Sequence, residues 1–301
     1  MPTSLRAVCT AVIGLALMLA TFAAPAEAGD RVLKGPTPAW VLPSDETAAP
    51  ARAATGEGLR FLLLDSQLRA EDDQQFVYIR TRSTAASPQG VIALGNIALT
   101  WSPESQDITI HHVTILRDGQ SIDVLAAQDF ETLRREENLQ LAMLDGPLAG
   151  VVQPAGLRVG GVLDVAYTIT SRDSVPGEKL AQAIDLNMPL VVERQRVRAS
   201  WPSAMPVTVR ATDNWIPVPV RRNGAYSSID VVRENAQPIL IPDDVPVRFQ
   251  AINLIELSAY RDWAEVAATL TPLYDRARRL APDSPLHAEI ARIRALSGDP
   301  A

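Results

Sequence analysis

Apolar and polar positions alternate along most of the chain between Leu59 and Leu257, and turn residues interrupt the alternation at short intervals. Alternation with a period of two marks a strand with one face on a core, because successive side chains leave a pleated backbone on opposite sides. The cleanest instance spans 162–170, where Leu163, Val165, Tyr167 and Ile169 stand against Asp164, Ala166, Thr168 and Thr170. The stretch 107–123 reads DITIHHVTILRDGQSID. Its β-branched run meets Asp118-Gly119 and a second extended run follows, a hairpin signal because both central residues of the tight turn need φ > 0. Further strands are predicted at 59–70, 75–84, 96–101, 190–201, 207–211, 215–221, 226–232 and 249–257. Strand 75–84 is apolar on both faces, with Phe76 and Tyr78 on one and Val77 and Ile79 on the other. That places it inside a sandwich rather than at its edge. Asn223-Gly224 predicts a second hairpin turn, and Pro217 and Pro219 push its first arm to a sheet edge. Residues 87–90, 145–147 and 174–178 read as breaks, and 126–144 reads as a short helical turn followed by a strand.

One strand changes phase. Ile108 and Ile110 share one face, Val113 and Ile115 share the other, and the switch falls at His111-His112. Either the strand is buried on both sides or a β-bulge resets it there. Neighbours in a regular strand point to opposite faces, so this pair is not expected to hold one metal ion. After Leu257 the period lengthens. Asp262 and Glu265 have the spacing of a capping box, and Trp263, Val266, Leu270, Leu273, Tyr274 and Ala277 recur at helical intervals, with a kink expected at Pro272. A second helix is expected from Asp283-Ser284 with Pro285 at its first position and Leu286, Ile290, Ile293 and Ser297 on its face. Helices this short need something to pack on. The fold class is therefore mainly β: an antiparallel two-layer β-sandwich with a short C-terminal pair of α-helices.

The chain has 301 residues, 47% of them hydrophobic, which is enough for one or two cores. A net charge of -7 argues against a nucleic-acid binder, whose footprint is basic. Arg6, the apolar stretch 7–24 and the Ala26-Glu27-Ala28 site predict a leader over 1–28, cleaved after Ala28, and hence a periplasmic or secreted protein with no membrane segment after cleavage. The one cysteine, Cys9, lies in that leader, so a mature chain from Gly29 has no thiol for a disulfide, a metal or a nucleophile. A lead-in rich in Pro and Ala follows over 29–58, with Trp40-Val41 as its anchor. The sandwich domain then takes 59–257 and the helical tail 258–301.

Candidate chemistry is thin. No nucleophile elbow, zinc-protease, phosphate-loop or calcium-loop motif occurs, and no cofactor or metal is expected. Acidic pairs at 72–73, 136–137 and 243–244 sit at turns, and adjacency does not make an acid–base pair across a cleft. His287 reads as a surface residue near Asp283. Arg194, Arg196 and Arg198 line one strand face at period two. The plainer reading is a solvated face paired with acidic neighbours, and the sharper one is an anion-binding surface. With Trp40 and Trp263, these arginines form the candidate ligand or docking surface.

Several segments resemble a bacterial family: the domain of unknown function that follows a signal peptide and precedes transglutaminase-like domains in exported proteins. The resemblance rests on PAWV at 38–41, SQDITI at 105–110 leading to Arg117-Asp118-Gly119, Phe130 with LRRE at 133–136, LDG at 144–146, Arg158-Val159-Gly160, and SAYRDWAEV at 258–266 leading to Pro272-Leu273-Tyr274. Gly161 departs from it, since the family usually has Asp there. The resemblance implies that the helical stretch leads toward a papain-like core carrying catalytic Cys, His and Asp, whose Gly-Asp-Cys-Lys-Asp-Lys-like run has no counterpart here. The expectation is a non-catalytic exported binding or docking module whose partner is a transglutaminase-like domain or another exported protein. The alternatives are the non-catalytic half of a split cysteine protease or amidase, and a glycan-binding sandwich using Trp40, Trp101, Trp201 and Trp215.

Overall fold

The structure is a computed structural model that describes residues 29–44, 58–71, 73–134, 146–172, 179–188, 190–212, 218–238, 244–246 and 253–296. The leader, the second half of the lead-in, Trp215, Ser297, the loop at 174–178, and parts of the stretches expected at 126–144, 215–221 and 249–257 lie outside the described residues, as do Asp72, Glu136, Glu137 and Asp243.

In chain order the first half forms β1 (Leu33–Lys34), β2 (Leu59–Glu71), β3 (Gln74–Ala85), α1 (Pro88–Leu94), β4 (Ile97–Trp101), β5 (Gln106–Arg117), β6 (Gln120–Asp123), β7 (Glu131–Arg134), β8 (Leu148–Val152) and β9 (Val162–Ser171). The second half forms β10 (Ala181–Asp185), β11 (Val192–Pro202), β12 (Thr208–Ala211), β13 (Arg221–Asn223), β14 (Tyr226–Ala236), β15 (Leu254–Ser258), α2 (Trp263–Ala277) and α3 (Leu286–Leu296). The protein is mainly β with two helices at its C-terminal end, as the pattern predicts. The break at 87–90 is a helix in the structure: Ser87 caps α1 by accepting from the Gly90 amide, and Pro88 opens it.

One long sheet runs β1-β5-β9-β3-β2-β11-β14-β13, with β6 folded back on β5. Its joins are antiparallel except β1 with β5 and β2 with β11. Two three-stranded sheets, β4-β8-β7 and β10-β15-β12, form the second layer. The register shows which face they cover. Ile108, Ile169, Val77, Leu68, Ala199 and Ile229 stand in one cross-strand row. Both cores take their residues from this face. Ile108, Ile110, Val113, Ile115, Leu163 and Val165 pack under Leu99, Trp101, Leu148 and Val152 of the first small sheet. Leu68, Val197, Ala199, Trp201, Ile229 and Val231 pack under Ile255 and Leu257 of the second.

The Asp118-Gly119 hairpin forms with φ of 52° and 73°, so both residues take the left-handed conformation that the turn requires. The second hairpin turns one residue later than Asn223-Gly224. Asn223 is still paired, with Tyr226, and the loop residues are Gly224 and Ala225. Its first arm is a strand of three residues, β13, at the end of the long sheet; it meets the stretch expected at 215–221 only at Arg221, and 218–220 are irregular. The phase break is a bulge, with the register shifting between Ile110 and His112. One extra residue there returns Val113 and Ile115 to the face that Ile108 and Ile110 occupy.

Candidate functional site

The opposite face of the long sheet carries the polar chemistry. One cross-strand row reads Thr109, Thr168, Tyr78, Gln67, Arg198 and Asp230, and the next reads His112, Ala166, Arg80, Asp65, Arg196 and Val232. Most are polar members of alternating strands, which alternation alone assigns to solvent; Tyr78 is the exception, since its strand is apolar on both faces and is expected to be covered on each. In the structure Gln67 and Asp65 are 0% and 1% exposed, and Thr168 and Asp164 are also buried. Buried polar groups hold only when hydrogen-bonded, so their partners decide what the face is.

Asp164 is the hub of one half. Arg80 donates to both its oxygens, Nε to Oδ1 at 3.0 Å and Nη2 to Oδ2 at 2.7 Å. His112 Nε2 donates to Oδ1 at 2.9 Å, and Arg82 Nε lies 3.3 Å from Oδ2. Burial pushes the Asp164 carboxyl up, but the hydrogen bonds and charges of Arg80 and His112 outweigh it and hold the group at about 2. His111 stacks on Tyr78, with ring centroids 5.8 Å apart, and its Nδ1–H donates to the Gly35 carbonyl at 3.0 Å. Its Nε2 therefore accepts from the Thr168 hydroxyl at 2.7 Å in the neutral ring. Burial lowers the His111 pKa, and burial raises that of Tyr78 to about 12. The bulge corrects one sequence expectation: His111 and His112 both reach partners on this face rather than opposite faces. Both Nε2 atoms are already engaged, by Thr168 and Asp164.

The other half lies under the lead-in. Residues 35–44 leave β1 and cross the polar face as a strap. Trp40 meets Phe76 with ring centroids 6.5 Å apart, which is the anchor its sequence context predicts. The Gln67 carboxamide holds Leu42 at two points, accepting its N–H at 3.0 Å and donating to its carbonyl at 2.7 Å. The same amide nitrogen lies 2.9 Å from Asp65 Oδ2, which also accepts from the Ser44 hydroxyl. Arg196 forms a bidentate pair with Asp230, at 3.0 and 2.6 Å, and Nη1 donates to the Pro43 carbonyl at 3.1 Å. Asp65 Oδ1 and Arg198 Nη1 on this half are buried without a hydrogen-bond partner among the described residues, as are Arg82 Nε, Asn187 Oδ1 and Glu193 Oε1 elsewhere.

The candidate residues thus divide. Arg194, Arg196 and Arg198 do share one face. Arg194 is paired with Glu234 at 2.7 Å, Arg196 joins Asp230 to the strap, and burial lowers the Arg198 pKa while Asp230 raises it. Trp40 belongs to this site, and Trp263 does not. Trp263 opens α2 and is 86% exposed. There Asp262 accepts from the Glu265 amide as the capping pattern predicts, while Glu265 reaches back to the Arg261 amide instead of closing on Asp262. Sequence reasoning missed Asp65, Gln67, Arg80, Arg82, Asp164 and Thr168. Their only signal is polarity at period two, which does not distinguish a wet face from a strapped one.

An open β-sandwich whose long sheet buries a charged face under an N-terminal strap is the class that the fold and the site define. The chain belongs to the family DUF3857, a domain of unknown function with a solved structure, whose model matches residues 71–240. No curated protein matches the chain. It is similar in fold to a provisionally assigned protease from Parabacteroides distasonis, with a TM-score of 0.67 and 14% identity over 81% of this chain and 47% of that one. It thus spans about half that protein's length. Weaker likenesses are to a provisionally assigned nutrient-binding protein from Legionella pneumophila, with a TM-score of 0.34 and 9% identity over 66% and 67% of the two chains. An M1 zinc metallopeptidase from Deinococcus radiodurans gives a TM-score of 0.32 and 14% identity over 67% and 42%.

Proposed function

We propose that this chain is an exported, non-catalytic module that docks through its two C-terminal helices onto a transglutaminase-like domain encoded with it. The observation that carries the reading is the bare apolar surface of α2 and α3. Trp263, Tyr274, Leu286, Ile293 and Leu296 are each more than half exposed, and neither helix has a buried residue. A helix of 11 residues is marginal in water without tertiary packing, so α3 in particular needs a surface to lie on. Grouped exposed apolar side chains mark such an interaction site.

The choice of occupant follows from the family resemblance, in which this helical stretch leads into a papain-like core. The likeness to a protein about half of which this chain spans is in keeping with a module that works beside a further domain. From Gly29 onward the sequence has no cysteine, so a thiol nucleophile would come from the partner. The leader and its cleavage site support export. The glycan-binding alternative loses support, because Trp101 and Trp201 are buried in the two cores.

The test uses the chain from Gly29 and the transglutaminase-like domain encoded in the same reading frame or the next. Calorimetric titration is expected to show one-to-one binding that is lost in the Trp263→Asp, Ile293→Asp double variant. The chain alone is expected to leave peptide and isopeptide substrates intact. Turnover by the chain alone, or no heat of binding, would overturn the proposal.

A further inference from the structure

The strap crosses the polar face in a manner that differs from ordinary loop packing. It is gripped mainly through its backbone. The Gly35, Leu42 and Pro43 carbonyls and the Leu42 amide are all taken by side chains of the sheet: His111, Gln67 and Arg196. Asp65, two residues away on the same strand, holds the Gln67 amide nitrogen at 2.9 Å, so the carboxamide that grips Leu42 at two points is oriented from within the sheet. A carboxamide that both accepts from an N–H and donates to the C=O of the same residue reads an extended main chain, whatever side chain that residue bears. Strap side chains add the ring contact of Trp40 with Phe76 and the Ser44 hydroxyl on Asp65. The strap has the composition of a ligand segment, with Pro36, Pro38 and Pro43 in ten residues and no charge between Gly35 and Ser44. Proline-rich segments are stiff and extended before they bind, which lowers the entropy lost on docking.

The fit is also incomplete. Asp65 Oδ1 and Arg198 Nη1 stay buried and unpartnered beneath this face. These two atoms are polar capacity on this face that residues 35–44 do not use.

We propose that the Asp65–Gln67–Arg196 face is a binding site for extended, proline-containing peptide, filled in cis by residues 35–44. The site reads backbone at Gln67 and Arg196, takes a hydroxyl at Asp65 and seats an aromatic ring on Phe76. A peptide of this chemistry supplied in trans competes with the strap. The inference is independent of the docking reading of the helix pair, because none of its residues lies in α2 or α3.

The experiment uses the chain from Gly29 and a fluorescent synthetic peptide of residues 35–44, followed by anisotropy. A tethered competitor acts at an effective concentration on the order of millimolar, so the unaltered chain should bind the free peptide weakly. Weakening the strap with Trp40→Ala and Ser44→Ala is expected to tighten peptide binding at least tenfold, and adding Gln67→Leu is expected to abolish it. A folded double variant that binds no better than the unaltered chain, or binding that survives Gln67→Leu, would overturn the proposal. Native-state hydrogen exchange on the unaltered chain gives a second reading that does not depend on the variants folding. The Leu42 amide is expected to exchange at least tenfold faster than the amides of β2 and β3, by local release of the strap. Exchange of Leu42 only with global unfolding would show the strap to be a fixed layer of the fold.

Discussion

Asp164 should be the most costly single charge to remove. Asp164→Asn keeps the shape of the side chain and deletes the anion that Arg80, Arg82 and His112 share. The side chains of Arg80 and Arg82 are only 15% and 16% exposed, so they would remain charged and largely desolvated with the Asp164 anion gone. Removing one partner of a buried pair costs roughly 3–5 kcal/mol. The carboxamide can still accept from Arg80 and His112 is partly exposed, so we place the loss near the lower end, at about 3 kcal/mol. The pH dependence has a definite sign. The folded-state pKa is held down at about 2, against an ordinary 3.8, so the stabilisation is fully present above about pH 4 and is lost as pH falls through 2. That shift corresponds to about 2 kcal/mol. Urea denaturation of both proteins at pH 7, 4 and 2 is the assay. The gap should be about 3 kcal/mol at pH 7 and 4 and should shrink by about 2 kcal/mol at pH 2, because only the unaltered protein has that contribution to lose. A gap below 1 kcal/mol at pH 7, or one that stays constant with pH, would refute the reasoning.

Two further substitutions test the fold. In Gly90→Ala the new methyl would collide with the backbone carbonyl of Gly58, so α1 must move off the start of β2; melting should show a loss of roughly 1–3 kcal/mol, with a larger share in the unfolding rate than in the folding rate if α1 docks late. Ile229→Ala opens a cavity beside Ala199 and Ile255 in a core where Ile229 is 0% exposed, and should cost about 2–5 kcal/mol in equilibrium denaturation; a loss below 1 kcal/mol would mean that this core is not packed as described.

Much of the fold was legible because it follows from local rules. Leu163, Val165, Tyr167 and Ile169 alternate, and their strand lies where they place it. Asp118-Gly119 turned where its left-handed conformations demand, and the phase switch at His111-His112 was the bulge itself. The errors come from competition that no local pattern records. Asn223-Gly224 is a good turn pair, yet the pairing of Asn223 with Tyr226 moved the loop to Gly224-Ala225. Ser87-Pro88 looked like a break, although a capping serine followed by proline equally starts a helix. The short strands β1, β8 and β10 have no counterpart among the expected strands, and Leu148–Val152 in β8 shows no alternation to read.

The candidate site was legible only in part. Arg194, Arg196 and Arg198 share a face because period two requires it, and Trp40 anchors the lead-in as an isolated aromatic among prolines should. Asp65 and Gln67 are buried where residues 35–44 cross the sheet from another part of the chain, and Asp164 is buried among the side chains of Arg80, Arg82 and His112. Polar alternation in β2 and β9 looks the same with the strap in place or absent, and the local sign of cover on this face was Tyr78 in a strand apolar on both sides. The exposure of Trp263 is the reverse case. Its helical stripe predicts burial, and the described residues provide nothing that covers it.

Hydrogen–deuterium exchange of the chain from Gly29, with and without the transglutaminase-like domain encoded with it, tests the docking claim most directly. Amides of 263–296 are expected to exchange fast in the chain alone and to slow on mixing, while the amides of the long sheet stay unchanged. Protection that falls on the sheet and spares the helices, or no protection anywhere, would contradict the account.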